Sequence, residues 1–288
     1  MKQYLDLVER VLKNGVKKPN RTGIDAISIT GADFVHNMAE GFPLLTTKKM
    51  PYKTIRIELE GFIKGITDKK WYQERGCNIW NEWCSPEKVP YGHDEETKKK
   101  MIEERDLGPI YGFQWRHFGT EYKGHDADYK GLGFDQLKKV IETLKTNPRD
   151  RRMLISAWNP PDISKMALPP CHYGYYFSVT ENRLNLVWDQ RSVDIMLGLP
   201  FNIASYATML HLIAKESGFQ EGELIGQLKD VHIYENHIDG AKEQLKRTPK
   251  KLPKIETDNF TSIYDWTHGQ TKMIGYESHP KINFDIAT

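Results

Sequence analysis

The runs YGYYFSV and RLNLVWD, joined only by the polar TEN at residues 180–182, constrain the fold more than any other feature of the chain. Both are rich in β-branched and aromatic residues, and a short polar turn between two such runs predicts an antiparallel hairpin. Helical patterns surround it. Tyr4, Leu5, Val8, Val11 and Leu12 share one helical face ahead of Gly15, after which AISITGADFVHN alternates as a strand. A second helix covers residues 52–64 through Ile55, Leu59 and Phe62. Phe134, Leu137, Val140, Ile141 and Leu144 make a third, ending near TNPRDRR and followed by MLISAW as a buried strand. NIASYATMLHLIAKESG reads as a long helix stopped by glycine, DVHIYENH as a strand, and a last helix runs to Leu245. These elements interleave without a repeating strand-and-helix unit. That order predicts an α+β fold, a mixed β-sheet packed with helices, rather than a doubly wound sheet. No internal repeat and no linker rich in Gly, Pro or Ser divides residues 1–288, so a single domain is expected.

The charge balance, 41 basic against 39 acidic residues, leaves a net +2 and no long-range attraction to nucleic acid or an anionic membrane. Anion binding must come from local cationic pockets. Three cysteines, Cys77, Cys84 and Cys171, are too few and too scattered for a disulfide framework, and no second pair stands at zinc-site spacing, so no metal is expected. A reducing compartment fits. The amphipathic, charged start MKQYLDLVERVLKNG is not a signal sequence, and no apolar stretch reaches the length of a membrane span, so a cytoplasmic location is expected. The run GHDEETKKKMIEERD at 92–106 is nearly all charge; it reads as a solvated helix or a flexible insertion and is assigned no chemistry.

Several residues stand apart from this pattern. Arg21, the pair Arg151 and Arg152, and Arg191 each sit beside a turn or strand end, where guanidinium groups can grip a phosphate; Ser192 adds a hydroxyl. Cys171 has three readings: an inert buried thiol, a metal ligand without the partners it needs, or a nucleophile activated by nearby cations. His172 is its neighbour, but successive strand residues point to opposite faces, which argues against a papain-like pair. Asn202, placed just ahead of a helix, is either an N-cap or an amide that reads a planar ring edge such as uracil. His232 and Tyr234 share a strand face suited to a sugar hydroxyl or to packing, whereas His237 reads as a surface histidine. Glu58 is either a surface carboxylate or, if buried, a group of raised pKa able to take part in proton transfer. Trp80 and Trp83 are either core tryptophans or a stacking platform for a flat ligand.

The segments NRTG, FPLLTTKK, LGPIYGFQWR, NPRDRR, SAWNP, MALPPCH, DQRSVDIMLGLPFNIASYA, DVHIYENH and the ending IAT occur in an order and spacing that resemble thymidylate synthase from Met1 to Thr288. The resemblance implies sheets stacked across a homodimer interface. It also implies reductive methylation of dUMP to dTMP, with 5,10-methylenetetrahydrofolate giving the one-carbon unit and the hydride and leaving as dihydrofolate. Cys171 would add to carbon 6 of the pyrimidine, making carbon 5 nucleophilic. Arg21, Arg191 and Ser192, with Arg151 and Arg152 from the other subunit, would hold the dUMP phosphate; Gln190, Asp194, Asn202, His232 and Tyr234 complete the nucleotide set. Glu58 and Tyr111 would handle protons, alongside catalytic contributions from Asn202 and Asp194. Lys48, Trp80, Trp83, Leu168, Asp194, Leu197, Gly198, Phe201 and Ala287 would contact the folate, and Ile286 to Thr288 would close as a lid.

The sequence departs from the family pattern at Glu60 and Gly61, where an apolar residue and a tryptophan are frequent, at Lys229 in place of glycine, and in NFDIAT, which lacks a proline; residues 84–106 resemble an insertion. These changes are expected on the folate side and the lid. Three rival readings are a dUMP 5-hydroxymethylase, in which water captures the methylene intermediate, a non-catalytic nucleotide- or RNA-binding regulator, and a cysteine hydrolase. Trp80 as a water shield favours the synthase over the first. Balanced charge opposes the second, and the Cys171–His172 adjacency opposes the third.

Overall fold

The hairpin forms where the sequence places it, with β4 (His172–Thr180) antiparallel to β5 (Arg183–Asp194) and Glu181 at a φ of 57°, the left-handed conformation a tight hairpin turn demands. The structure is a computed structural model describing residues 1–20 and 23–285. From β5 the chain enters α7 (Gly198–Ser217) and returns as β6 (Gln220–Tyr234), parallel to β5. The remaining pairs are antiparallel: β6 with β2 (Ala26–Asn37), β2 with β1 (Val16–Lys18), and β4 with β3 (Leu154–Ser156). The resulting order is β1-β2-β6-β5-β4-β3. One parallel pair in an otherwise antiparallel sheet, packed with helices, is the α+β architecture expected.

α7 is apolar on nearly every side, and such a helix must be surrounded. Ile203 to Leu210 are all buried in it. Leu184, Leu186 and Trp188 of β5 turn toward it, with Trp188 stacked on Tyr206 at 5.4 Å. Helices α1 (Lys2–Asn14), α2 (Tyr52–Ile63), α5 (Tyr111–His117) and α6 (Gln136–Thr146) extend the same core. The opposite sheet face carries Leu154, Tyr176, Val187, Ile225 and Val35 directly opposite one another across five strands, with Leu154 and Val35 exposed at its ends.

Three elements differ from the sequence reading. β6 begins ten residues before DVHIYENH, because QEGELIGQLK alternates polar and glycine positions and carries too little apolar signal on its exposed side. α6 starts after Phe134: Asp135 caps it by accepting the Lys138 N–H at 2.9 Å, and Phe134 pairs instead with Phe118, largely exposed. β3 is a three-residue edge strand with Leu154 outward, not a fully buried one. The charged run forms a helix, α4 (Glu95–Glu103), capped by Asp94 and burying only Met101. Too short to show a period, α3 (Lys69–Glu74) and α5 have no sequence counterpart. Beyond α8 (Ile238–Leu245), β7 (Lys254–Thr257) and β8 (Thr271–Ile274) form a separate hairpin. Among the described residues, no helix is long and apolar enough to cross a membrane.

Candidate active site

Cys171 immediately precedes β4, and strand alternation separates it from His172 as the sequence suggests. His172 turns inward, stacks on Tyr111 at 4.5 Å and hydrogen-bonds the Tyr206 hydroxyl at 2.8 Å through Nδ1. Burial pushes its imidazole down to about 3, so it stays neutral and cannot serve Cys171 as a base. Cys171 faces the other way, into a cleft of ≈ 760 Å³. Its backbone is pinned on both sides: the N–H donates to the Tyr111 hydroxyl at 2.9 Å and the carbonyl accepts the Arg191 N–H at 2.8 Å. The Arg191 side chain donates through Nε and Nη2 to the carbonyls of Pro170 and Pro169, both at 2.9 Å. The prolines offer carbonyls without competing donors, and the guanidinium fork takes both. Cys77 and Cys84 are buried, and burial pushes the Cys77 thiol up to about 12; both are inert by comparison.

Trp83, Leu168, Arg191, Ser192, His232 and Tyr234 line the same cleft as Cys171. The rings of His232 and Tyr234 lie edge to face at 5.2 Å, on one face of β6 as their spacing requires. Of the cleft residues that escaped sequence reasoning, four make contacts that shape it. Trp158, within SAWNP, lies under the Arg191 guanidinium at 5.5 Å; Lys18 pairs with Asp230 at 2.6 Å; and Tyr91 stacks on Trp83 at 5.9 Å. Trp158 and Asp230 stood inside quoted motifs, whereas Lys18 and Tyr91 carried no local signal.

Gln190 is a polar residue on the apolar face of β5, and its hydrogen bonds fix the orientation of Asn202. The Trp188 indole N–H can only donate, and it donates to Gln190 Oε1 at 3.1 Å. Gln190 Nε2 therefore points the other way, toward Asn202 Oδ1 at 3.0 Å and the Ser192 carbonyl at 3.1 Å. Asn202 must present its oxygen to Gln190, which leaves its NH₂ as the outward group. Asn202 is in the second turn of α7, not ahead of the helix, so the N-cap reading falls.

Behind Cys171, burial pushes the Glu58 carboxyl of α2 up to about 7, offset in part by the Trp80 indole, whose N–H has no other partner among the described residues. Trp80 itself is buried, edge-on to Phe62 at 6.3 Å and Tyr111 at 6.1 Å. Burial, followed by the neighbouring Cys171, raises Tyr111 well above its ordinary value, so it remains a hydroxyl.

Other expected site residues lie elsewhere. Asp194, Leu197, Gly198 and Phe201 gather at the turn opening α7, where Asp194 Oδ1 accepts the N–H groups of Met196 and Leu197 at 3.0 and 3.1 Å. Lys48 is buried, donates to the Met196 carbonyl and sits 4.7 Å from the Phe284 ring centroid; it lines no part of the cleft. Arg151 and Arg152 are exposed on a separate edge, Arg152 paired with Asp150 at 2.8 Å. Arg21, Ile286, Ala287 and Thr288 lie outside the described residues. His237 is buried rather than superficial, bonded through Nε2 to the Asp285 carbonyl at 2.7 Å.

Three of the departures from the family pattern, Gly61, Glu60 and Lys229, have local explanations away from the cleft. Gly61 is required because a Cβ there would stand 2.2 Å from the Tyr72 ring, which fills the space. Glu60 is buried; burial alone would raise its carboxyl, but Lys64 at 2.5 Å and the His268 N–H at 2.8 Å hold it below its usual range. Lys229 pairs with Asp189 on the outer sheet face, not on the folate side.

A thiol at a strand start, an arginine bridging it to the cleft and an oriented amide next to them match what the chain resembles. The thymidylate synthase family model matches residues 2–288, and the chain belongs to the thymidylate synthase family. It is 42% identical over 285 residues to the bifunctional dihydrofolate reductase-thymidylate synthase of Paramecium tetraurelia, covering 99% of this chain and 61% of that protein. The corresponding bifunctional protein of Leishmania major is 42% identical over 292 residues, covering 99% of this chain and 55% of that protein. The chain thus spans 55% to 61% of the length of these two relatives.

Proposed function

We propose that the chain converts dUMP to dTMP through a covalent adduct at Cys171, with 5,10-methylenetetrahydrofolate as cosubstrate. The observation that carries this reading is the placement of Cys171 in a cleft beside Arg191, Ser192, His232 and Tyr234, within a family that names the reaction. The Trp83–Tyr91 faces and Leu168 give that cleft flat apolar walls suited to a pterin and its aryl tail. The folate supplies the one-carbon unit and the hydride.

Arg191 and Ser192, with Arg21, hold the nucleotide phosphate, and His232 and Tyr234 take the ribose hydroxyl. The Cys171 sulfur forms a bond to carbon 6, and the C5–C6 π electrons move toward carbon 5 and the carbonyl at carbon 4. The Asn202 NH₂ donates to that carbonyl oxygen, where negative charge develops. After carbon 5 has bonded to the one-carbon unit, its proton leaves through the Tyr111 hydroxyl and the water held by Glu58. Loss of that proton expels the folate nitrogen from the one-carbon unit, hydride from the folate adds to the exocyclic methylene so formed, and the C–S bond then breaks, re-forming the C5–C6 double bond and returning its electron pair to Cys171. Incubation with dUMP and methylenetetrahydrofolate should give dihydrofolate, seen by absorbance, and dTMP, seen by mass. Hydroxymethyl-dUMP with tetrahydrofolate, or no turnover, would sink the reading.

The outward NH₂ of Asn202 suits the uracil carbonyl and opposes the amino group of cytosine. Asn202→Asp should lower kcat/KM for dUMP and raise it for dCMP, shifting the ratio by about 10²-fold or more, since a buried group left without its complement is heavily penalised. Competition between the two nucleotides measures the ratio, and an unchanged ratio would reject the assignment.

The apolar row Leu154–Tyr176–Val187–Ile225–Val35 fits a second copy of the sheet face to face, which makes the active form a homodimer with Arg151 and Arg152 reaching the partner's phosphate site. Val187→Glu, at the centre of this row, should yield monomers by sedimentation and reduce activity by at least about 10²-fold at micromolar protein. A dimer of native strength would exclude this face. Three free cysteines fit the reducing, cytoplasmic location proposed for the chain.

A further inference from the structure

Lys69 is the least solvent-exposed lysine of the chain, at 1% exposure, and neither its ammonium nor the charged segment near it has a part in the mechanism above. Among the described residues it pairs with no carboxylate. Instead the ammonium donates to three backbone carbonyls: Asn81 at 3.1 Å, Trp83 at 3.0 Å and Met101 at 2.7 Å. Three donors meet three acceptors, so the charge is fully hydrogen-bonded despite its burial.

These carbonyls belong to two different structures. Asn81 and Trp83 form the turn that presents the Trp83 ring to the cleft, whereas Met101 is in the last turn of α4, where helix carbonyls lack intrahelical partners and the helix carries partial negative charge. Trp83 and Met101 also line a second cavity of ≈ 570 Å³ that shares Trp83 and Tyr91 with the cleft. The root of the lysine is fixed in turn, since the Lys69 N–H donates to the Arg105 carbonyl at 2.8 Å and Arg105 pairs with Asp68.

We infer that Lys69 is a positioning residue for the folate site: it clamps the charged helix α4 to the Trp83 turn and makes residues 92–106 part of the cosubstrate wall. The inference rests on the synthase reading for its substrate but on the three carbonyl contacts for its geometry. Without the ammonium, one buried and two part-buried carbonyls lose their donor together, and the turn and the helix end separate to regain water. The nucleotide side, built on β5 and β6, is untouched by this loss.

Lys69→Met keeps the aliphatic stem and removes the donors. The KM for methylenetetrahydrofolate should rise by about 10-fold, from the loss of hydrogen bonds to a charged group, while the KM for dUMP changes less than about twofold. Lys69→Arg, which keeps the charge, should restore part of the folate KM. Hydrogen exchange should accelerate at residues 81–83 and 95–103 and remain unchanged in β5 and β6. Equal changes in both KM values, or native exchange in α4, would overturn the clamp. If the native chain fails to turn over dUMP, the functional reading falls and exchange alone decides: acceleration confined to those two segments supports the clamp, and its absence rejects it.

Discussion

Cys171→Ala should abolish dTMP formation, lowering kcat by at least about 10⁴-fold, the scale on which a covalent nucleophile is lost. Uracil carbon 5 is a poor nucleophile until sulfur adds next to it, so no other residue in the cleft substitutes for the thiol. Binding should survive. The phosphate and ribose contacts proposed for Arg191, Ser192, His232 and Tyr234 do not involve sulfur, and the Cys171 backbone would keep its bonds to Tyr111 and Arg191 in the alanine variant. Calorimetry should therefore show dUMP affinity within a few-fold of native, while mass spectrometry under denaturing conditions shows no nucleotide attached to the variant. Residual turnover above about 1% of native would reject Cys171 as the nucleophile. The structure adds a reason for an effect at Arg191 as well: its fork supports the Pro169–Pro170 carbonyls, so its removal would loosen the thiol's seat as well as the proposed phosphate site.

What the sequence made legible was local. Alternation placed β2 at Ala26–Asn37 with both ends correct, paired the hairpin, and separated Cys171 from His172, because each of these follows from a period of two within one segment. Contacts between distant segments were beyond it. The Gln190–Asn202 bond joins a strand to a helix, the Tyr72 ring fills the space over Gly61, and the Lys69 ammonium reaches 12 to 32 residues along the chain. None of these leaves a mark in a window of neighbouring residues. His237 shows the same limit from the other side: a polar residue beside an exposed asparagine reads as surface until the Phe284–Asp285 segment is folded over it. The family resemblance supplied much of the candidate site, and of its expected folate residues the fold sets Lys48 beside Asp194 and the Met196 carbonyl at the turn opening α7.

Glu58 differs from the other carboxylates in being held, by burial, near neutrality at physiological pH, and this makes its effects on stability and on catalysis separable. Its carboxyl titrates near 4.5 when unfolded and at about 7 in the folded chain. Between those values the folded state holds a proton that the unfolded state has released, so this group's favourable contribution is complete below about pH 4.5 and is lost as the pH rises through about 7. The shift is worth about 3 kcal/mol. Glu58→Gln cannot ionise; denaturant titrations across pH 4.5 to 8 should show the variant gaining stability relative to the native chain by about that amount, with most of the gain complete by pH 7. A difference independent of pH would mean that the carboxyl is not buried in solution. The same substitution should cost activity. If Glu58 and its water accept the carbon 5 proton through Tyr111, kcat should fall by about 10² to 10³-fold, with little change in dUMP affinity, and the native rise of rate with pH near 7 should vanish. A variant that is more stable at pH 8 and yet slow would show that the site keeps this carboxyl buried at the expense of fold stability, the expected signature of a group selected for proton transfer.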